Sequence, residues 1–170
     1  MVTQRQTSKQ YLRSVTVIYY AVLAAQIGFA AVALLLVLSH KMEPNESVRN
    51  IFLYVVPVIV LNGFVTGQLI YKSRLRRIKV YDNLLSKTAE YRSALIVRWA
   101  MLEGASLFAI AIYLVTADSI FMVFAGIVIA FFLLLKPSVY KISTELELNS
   151  TEKMKLDSEN EVVAEFQIRG

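Results

Sequence analysis

The chain has 170 residues, of which 56% are hydrophobic and 18% charged, a balance too apolar for an ordinary soluble domain. It has no cysteine and one histidine, which excludes a disulfide framework and a thiolate metal site and leaves few general bases for an enzyme. The net charge of +5 comes from basic residues beside apolar segments, which indicates membrane topology rather than nucleic-acid binding.

Four apolar segments approach the roughly 20 residues of helix that cross a bilayer core. They cover residues 14–38, 51–71, 94–116 and 119–135. Basic residues precede the first, as in a secretory signal, but its apolar run is too long for one and no small-x-small cleavage site precedes the SHKMEPNE loop. We therefore predict an all-helical, four-transmembrane-helix bundle over residues 1–136, with an uncleaved first span.

Basic residues are distributed unevenly around these spans. The N-terminal segment and the loop at residues 72–93 hold ten Lys or Arg residues, whereas the segments between spans one and two and between spans three and four hold only Lys41 and Arg49. Lys and Arg are retained on the cytoplasmic side of a membrane. Both termini and the 72–93 loop are therefore predicted to be cytoplasmic.

The loop contains a short basic cluster, RLRR at residues 74–77. The retention of basic residues on the cytoplasmic side accounts for this cluster, and a binding site for an anionic lipid or a nucleic acid is the alternative. Leu75, Ile78 and Leu84 lie among the charges, so span two is predicted to continue as an amphipathic helix at or just above the membrane interface.

Residues 137–170 form a mixed-charge C-terminal tail that is too short for a domain with its own core. Residues 139–148 fit a short amphipathic helix, and Ser150 begins a second helical piece. The stretch VVAEFQIR fits a strand or a frayed helix. We expect the tail to cap the cytoplasmic face or to meet a partner.

Spans one and three resemble each other. Residues 13–36 align without gaps with residues 92–115, and the shared Arg-Ser at the start exceeds what apolar composition explains. Each repeat unit is then a two-helix hairpin that begins with span one or span three. Two hairpins inserted in the same orientation form a parallel repeat about an axis normal to the membrane. This arrangement agrees with the topology inferred from charge.

Small residues predict close packing of the spans, because helices in lipid associate through van der Waals contacts and polar groups. Span two contains the G-x-x-x-G pair Gly63 and Gly67, span three contains Gly104, and span four contains Gly126. We expect these glycines at the contacts between helices.

Span three also carries the stretch RWAMLEG, with two charged residues. Arg98 lies about four residues inside the span, so its side chain reaches the headgroups, and Trp99 beside it is predicted to be an interfacial belt residue. Glu103 lies near the middle of the span, where a carboxyl must be paired, exposed to water or neutral. The five-residue spacing places Arg98 and Glu103 on different helix faces, so they form no pair.

Gln26 in span one and Asn62 in span two lie at about the same depth as Glu103. The three side chains form either a hydrogen-bonded layer that fixes the packing of the bundle or, at Glu103, a proton- or cation-binding site. A misplaced span boundary is the third alternative. His40 is alone, which predicts no metal site, and the NES triplet at Asn45 matches a glycosylation motif of eukaryotic secretory proteins.

Three stretches resemble an uncharacterised family of small four-helix membrane proteins from Bacteroidota. They are IYYAVLAAQIGF, RWAMLEGASLF and KPSVYKISTELELNSTE, and the resemblance covers most of the chain. It implies a bacterial inner membrane and no established activity.

Span three alone, AMLEGASLFAIAIYLV, is similar to the carboxylate helix of rotary ATPase c subunits, in which an acid carries the proton. The rest of the chain departs from the glycine-packed hairpin of c subunits, because it has only six glycines and a long basic loop between spans two and three. Small multidrug transporters resemble the chain in plan, but their membrane glutamate lies in the first span.

These patterns predict a non-catalytic structural or assembly component without a cofactor. Its expected partners are the lipid bilayer and a second copy or another membrane protein, with no nucleic acid. The alternative is a proton- or cation-coupled small transporter that uses Glu103.

Overall fold

The computed structural model describes residues 2–39, 46–81 and 83–168 of the chain. His40 and Asn45, the first residue of the glycosylation triplet, lie outside these residues. The described elements, in chain order, are β1 (Val2–Thr7), α1 (Ser8–Leu38), α2 (Glu46–Ile78), α3 (Leu84–Thr116), α4 (Ser119–Leu133), α5 (Val139–Glu145), α6 (Ser150–Asp157) and β2 (Val162–Ile168). The predicted all-helical class is confirmed, with one two-stranded sheet added to it.

Helices α1, α2 and α3 are long and apolar enough to cross a membrane. Helix α4 is also apolar but has 15 residues, about 22 Å of helix at 1.5 Å per residue. The predicted fourth span of residues 119–135 is therefore helical only to Leu133. Helix α2 continues past the apolar run to Ile78, as predicted, but Leu84, which the prediction included in this continuation, begins α3. Most of the 72–93 segment is therefore helical rather than a loop.

The chain forms two compact units. The terminal unit contains Met1–Tyr19, Leu69–Val97 and Lys136–Gly170, and the apolar unit contains Tyr20–Gln68 and Arg98–Leu135. Residues of the C-terminal tail therefore belong to the same unit as residues near the N-terminus.

The core of the apolar unit takes side chains from all four of its helices. Its buried residues are Ala33, Val56, Ala109, Ile110, Ile112, Tyr113, Phe121 and Ala125. Phe52 and Phe108 add an edge-to-face contact with ring centroids 6.2 Å apart. Large apolar side chains such as Leu35, Tyr54 and Ile127 remain exposed, which is typical of surfaces that face lipid.

The sheet of the terminal unit joins the two ends of the chain. Strand β1 pairs with β2 in antiparallel register, from Val2 opposite Ile168 to Thr7 opposite Val162. The Thr88 hydroxyl of α3 donates to the Val163 carbonyl at 2.5 Å, which fastens β2 to the helix. Of the strand and the frayed helix that the sequence left open for VVAEFQIR, the structure thus selects the strand over Val162–Ile168.

The two short helices of the tail are delimited by capping motifs, one at the end of α5 and one at the start of α6. Helix α5 ends with Glu147 in the left-handed region, and the Leu148 amide donates to the Ser143 carbonyl, which is a Schellman motif. Asn149 and Glu152 form a reciprocal capping box that starts α6. The two helical pieces predicted in the tail are confirmed.

Candidate functional site

The most deeply buried polar contact of the apolar unit joins α1 to α3. The Ser106 hydroxyl donates to Gln26 Oε1 at 2.7 Å, and both side chains are fully buried. Gln26 also donates from Nε2 to the Val22 carbonyl at 3.4 Å. Both ends of the Gln26 amide are therefore used inside the protein, which offsets the cost of burying it.

Asn62 lies on an exposed face of α2 and has a local partner. Its Oδ1 accepts a hydrogen bond from the Thr66 hydroxyl at 3.3 Å, one turn further along the same helix. An amide on a helix surface satisfied within its own helix does not by itself join two helices. Asn62 therefore does not take part in the Gln26 contact.

Glu103 is half-buried on α3. Its carboxylate has no hydrogen-bond or ion-pair partner within the part of the chain that the structure describes, although its backbone carbonyl accepts a bond from the Ser106 hydroxyl at 3.0 Å. The single hydrogen-bonded layer of Gln26, Asn62 and Glu103 is thus not present. Ser106 is the partner that sequence analysis missed, because a serine in an apolar helix gives little signal by itself.

A groove opens on the surface between α2 and α3, with a volume of about 390 Å³. Its lining residues are Val58, Ile59, Asn62, Gly63, Ala100, Met101, Gly104 and Ala105. The lining is apolar except for the Asn62 amide. A groove of this kind has room for side chains of another apolar helix.

The predicted packing glycines behave differently from one another. A Cβ placed on Gly63 would lie 3.0 Å from both Ala105 Cβ and the Met101 carbonyl oxygen, and one on Gly67 would lie 3.3 Å from Met101 Cβ. A Cβ on Gly104 or Gly126 would meet no atom within 4 Å. The glycines of α2 therefore permit its close approach to α3, whereas Gly104 and Gly126 make no such contact.

Trp99 does not lie in an interfacial belt. Its side chain is buried and packs against Phe132 of α4, with ring centroids 6.3 Å apart. Arg98, the neighbouring residue, is half-buried. The prediction that Trp99 is an interfacial belt residue was wrong. Whether a helix residue is exposed depends on which elements pack against its side of the helix, and α4 covers this side of α3.

A separate polar cluster lies in the terminal unit, and sequence analysis did not find it. The Glu145 carboxylate of α5 accepts hydrogen bonds from the Tyr71 hydroxyl at 2.6 Å and from the Tyr91 hydroxyl. These three residues come from segments far apart in the chain. The positions of the two tyrosines in the sequence do not indicate that they share a carboxylate partner in α5.

An ion pair also holds the tail to α3. Lys87 Nζ lies 2.8 Å and 3.0 Å from the two carboxylate oxygens of Glu152, and both residues are buried. Tyr11 of α1 donates to the Thr88 carbonyl at 2.9 Å nearby. Because buried charges need partners, Lys87 and Glu152 restrict how α6 packs on α3.

The turn between α3 and α4 carries a further ion pair. Arg49 Nε lies 2.5 Å from Asp118 Oδ2, and the other Asp118 oxygen accepts from the Ile120 amide at 3.0 Å as the N-cap of α4. The amide hydrogen bond and then the Arg49 guanidinium lower the pKa of the Asp118 carboxyl, against the opposing effect of partial burial.

No group of three or more His, Asp or Glu side chains suited to a metal ion occurs among the described residues. In comparisons with known proteins, no protein-family model, curated protein or solved structure matches the chain.

Proposed function

We propose that the protein is a multi-pass membrane protein of the bacterial inner membrane that acts as a non-catalytic structural or assembly component. The observation that carries this proposal is the buried Gln26–Ser106 hydrogen bond at 2.7 Å. Its polar atoms serve the packing of α1 on α3. A group that binds a transported solute needs polar atoms left available for it.

The pairing of β1 with β2 supports four membrane crossings with both termini on one side. Strands that share a sheet lie in the same compartment, so the chain between them crosses the bilayer an even number of times. Three long apolar helices make an odd number. Helix α4 supplies the fourth crossing, with the apolar Leu134 and Leu135 extending its 15 residues and with the local thinning that a short span imposes on the bilayer.

The excess of basic residues in the N-terminal and 72–93 segments supports a cytoplasmic location for this side. This location agrees with the structure, in which the N-terminal segment, the 72–93 segment and the tail all belong to the terminal unit.

For the assembly role, we propose that a second copy of this chain occupies the α2/α3 groove. Most oligomers are symmetric homo-oligomers, and the small residues Gly104 and Ala100 are exposed at the groove, where they allow another helix to approach closely. The chain has no cysteine, so single substitutions report on this contact directly.

We expect Asn62→Cys to form a disulfide-linked dimer when membranes are oxidised, because two copies that pack groove to groove place the twofold axis at the groove, and residues beside the axis lie close to their equivalents. Val123→Cys, exposed on α4 and not among the residues that line the groove, is the matched control and stays monomeric. Non-reducing electrophoresis measures both. Equal dimer yields from the two variants, or none from Asn62→Cys, would contradict the second-copy proposal.

A second candidate function is a proton- or cation-coupled small transporter that uses Glu103. The observation that favours it is the half-buried Glu103 carboxylate, which has no partner among the described residues. An acid in this position within a membrane helix is a typical carrier of an exchangeable proton or cation.

Purified protein in vesicles with a trapped pH-sensitive dye separates the two functions. The structural function predicts that parent and Glu103→Gln vesicles show the proton flux of protein-free vesicles, with and without a Na⁺ gradient. It also predicts that Gln26→Leu lowers the unfolding temperature, because the buried hydrogen bond that joins α1 to α3 is lost and the Ser106 hydroxyl is left with the Glu103 carbonyl of its own helix. A pH-dependent flux in the parent that Glu103→Gln abolishes, without loss of folded protein, would establish the transporter instead.

A further inference from the structure

Five side chains form a shallow groove at the basic end of α2. It has a volume of about 380 Å³ and is lined by Leu69, Ile70, Ser73, Arg74 and Arg77. These positions are separated by intervals of one and three residues, so they share one face of the helix. At 1.5 Å per residue, the face changes from apolar to basic over about 12 Å.

The structure holds Arg74 in a defined position. Its Nη1 donates to the Ser93 hydroxyl of α3 at 2.9 Å, and the side chain is half-buried. A guanidinium has five N–H donors, so this bond orients the group and leaves the others for a ligand. Ser73 and Arg77 are exposed beside it. No acidic side chain among the described residues forms a salt bridge with Arg74 or Arg77.

We propose that this groove binds an anionic glycerophospholipid. Arg74 and Arg77 hold the phosphate, since guanidinium groups bind phosphate oxygens in pairs, and the Ser73 hydroxyl donates to it. Leu69 and Ile70 contact the acyl chain. The proposal rests on the membrane location proposed above.

The apolar part of the groove favours a lipid over a nucleic acid. A nucleic acid supplies phosphates but no hydrocarbon, so it would leave the exposed Leu69 side chain without a contact. A lipid satisfies both parts, because its charged headgroup and acyl chains meet at the same depth at which α2 changes from apolar to basic. Basic pockets beside membrane helices bind anionic headgroups in this way.

The test is a lipid titration of the full-length protein in detergent, followed by native mass spectrometry. We expect the parent to bind phosphatidylglycerol more tightly than phosphatidylcholine. The double variant Arg74→Gln/Arg77→Gln should weaken phosphatidylglycerol binding by about tenfold or more and leave phosphatidylcholine binding unchanged. Arg77→Gln alone changes only an exposed side chain, so it tests the proposal without risk to the fold.

The matched control is Lys72→Gln/Arg76→Gln. It removes the same two positive charges from exposed positions of the same helix that do not line the groove. It should retain the phosphatidylglycerol preference. Equal losses in the two double variants would mean diffuse attraction to an anionic surface and would overturn the proposal.

Two further arms identify the source of the phosphate. Inorganic phosphate or a short RNA, added in excess, should fail to displace phosphatidylglycerol; displacement by either one would overturn the assignment to a lipid. Flotation of the parent protein with vesicles separates this inference from the proposed function. A protein that does not float contradicts the membrane location, whereas one that floats without a lipid preference contradicts the groove alone.

Discussion

At the scale of single residues, Asp118 combines two roles in the two-residue turn before α4. One carboxylate oxygen caps the helix through the Ile120 amide and the other meets Arg49. Ala117 beside it has a φ of 52°, in the left-handed region, and its amide donates to the Tyr113 carbonyl at 2.8 Å to end α3. A short turn between two apolar helices is thus held by local polar contacts.

Asp118 makes the stability of the protein depend on acid pH. Because its pKa is lower in the folded than in the unfolded chain, its contribution is complete above the unfolded value of about 3.9 and is lost as the pH falls through the folded value. We expect the unfolding temperature in detergent to fall over this acid range, and to fall less in Asp118→Asn, which keeps a capping oxygen but loses the ion pair.

The control for this measurement is Glu159→Gln, which breaks the exposed ion pair with Lys9. Exposed pairs contribute little to stability, so this variant should follow the parent at every pH. An Asp118→Asn profile parallel to that of the parent would contradict the assigned role.

At the scale of elements, the contact of α2 with α3 depends on the absence of a side chain at Gly63. A methyl group there would meet the Met101 carbonyl, which is backbone and yields little, as well as Ala105. The same helix face continues to Gly67, where the contact with Met101 is looser. The G-x-x-x-G pattern therefore marks a real close approach in α2.

We predict that Gly63→Ala lowers the free energy of unfolding by about 1–3 kcal/mol, the usual cost of inserting a methyl group into a packed contact. Thermal unfolding in detergent, followed by circular dichroism, measures the change. Gly126→Ala is the control, because its Cβ meets nothing within 4 Å. If both variants unfold at the parent temperature, α2 and α3 do not pack as closely as described.

At the scale of the whole molecule, the ends of the chain meet in one sheet although more than 150 residues separate them. Glu145 and Glu152 fasten the tail to tyrosine and lysine side chains of the 69–97 segment. The C-terminal tail is thus part of the terminal unit. The internal repeat of spans one and three stays a prediction.

The proposed topology predicts which residues an impermeant maleimide reaches in intact cells. In the cysteine-free chain, Ser119→Cys at the start of α4 should be labelled directly, whereas Ser158→Cys in the tail should be labelled only after the membrane is opened. Mass spectrometry of the purified variants measures the labelling. Labelling of both variants in intact cells would place Ser119 and Ser158 on the same side of the membrane and would contradict a crossing by α4. Labelling of Ser158→Cys alone would contradict the cytoplasmic location of the tail.

Sequence by itself determined the apolar helices, the extension of α2 beyond the apolar run and the two helical pieces of the tail. Hydropathy, charge and capping signals act over a few residues, so a linear pattern contains them. Only the tertiary structure decided that Gln26 pairs with Ser106, that Trp99 faces Phe132 and that β1 pairs with β2. These contacts depend on how each helix is rotated about its axis and on which distant segments meet, and neighbouring elements set both.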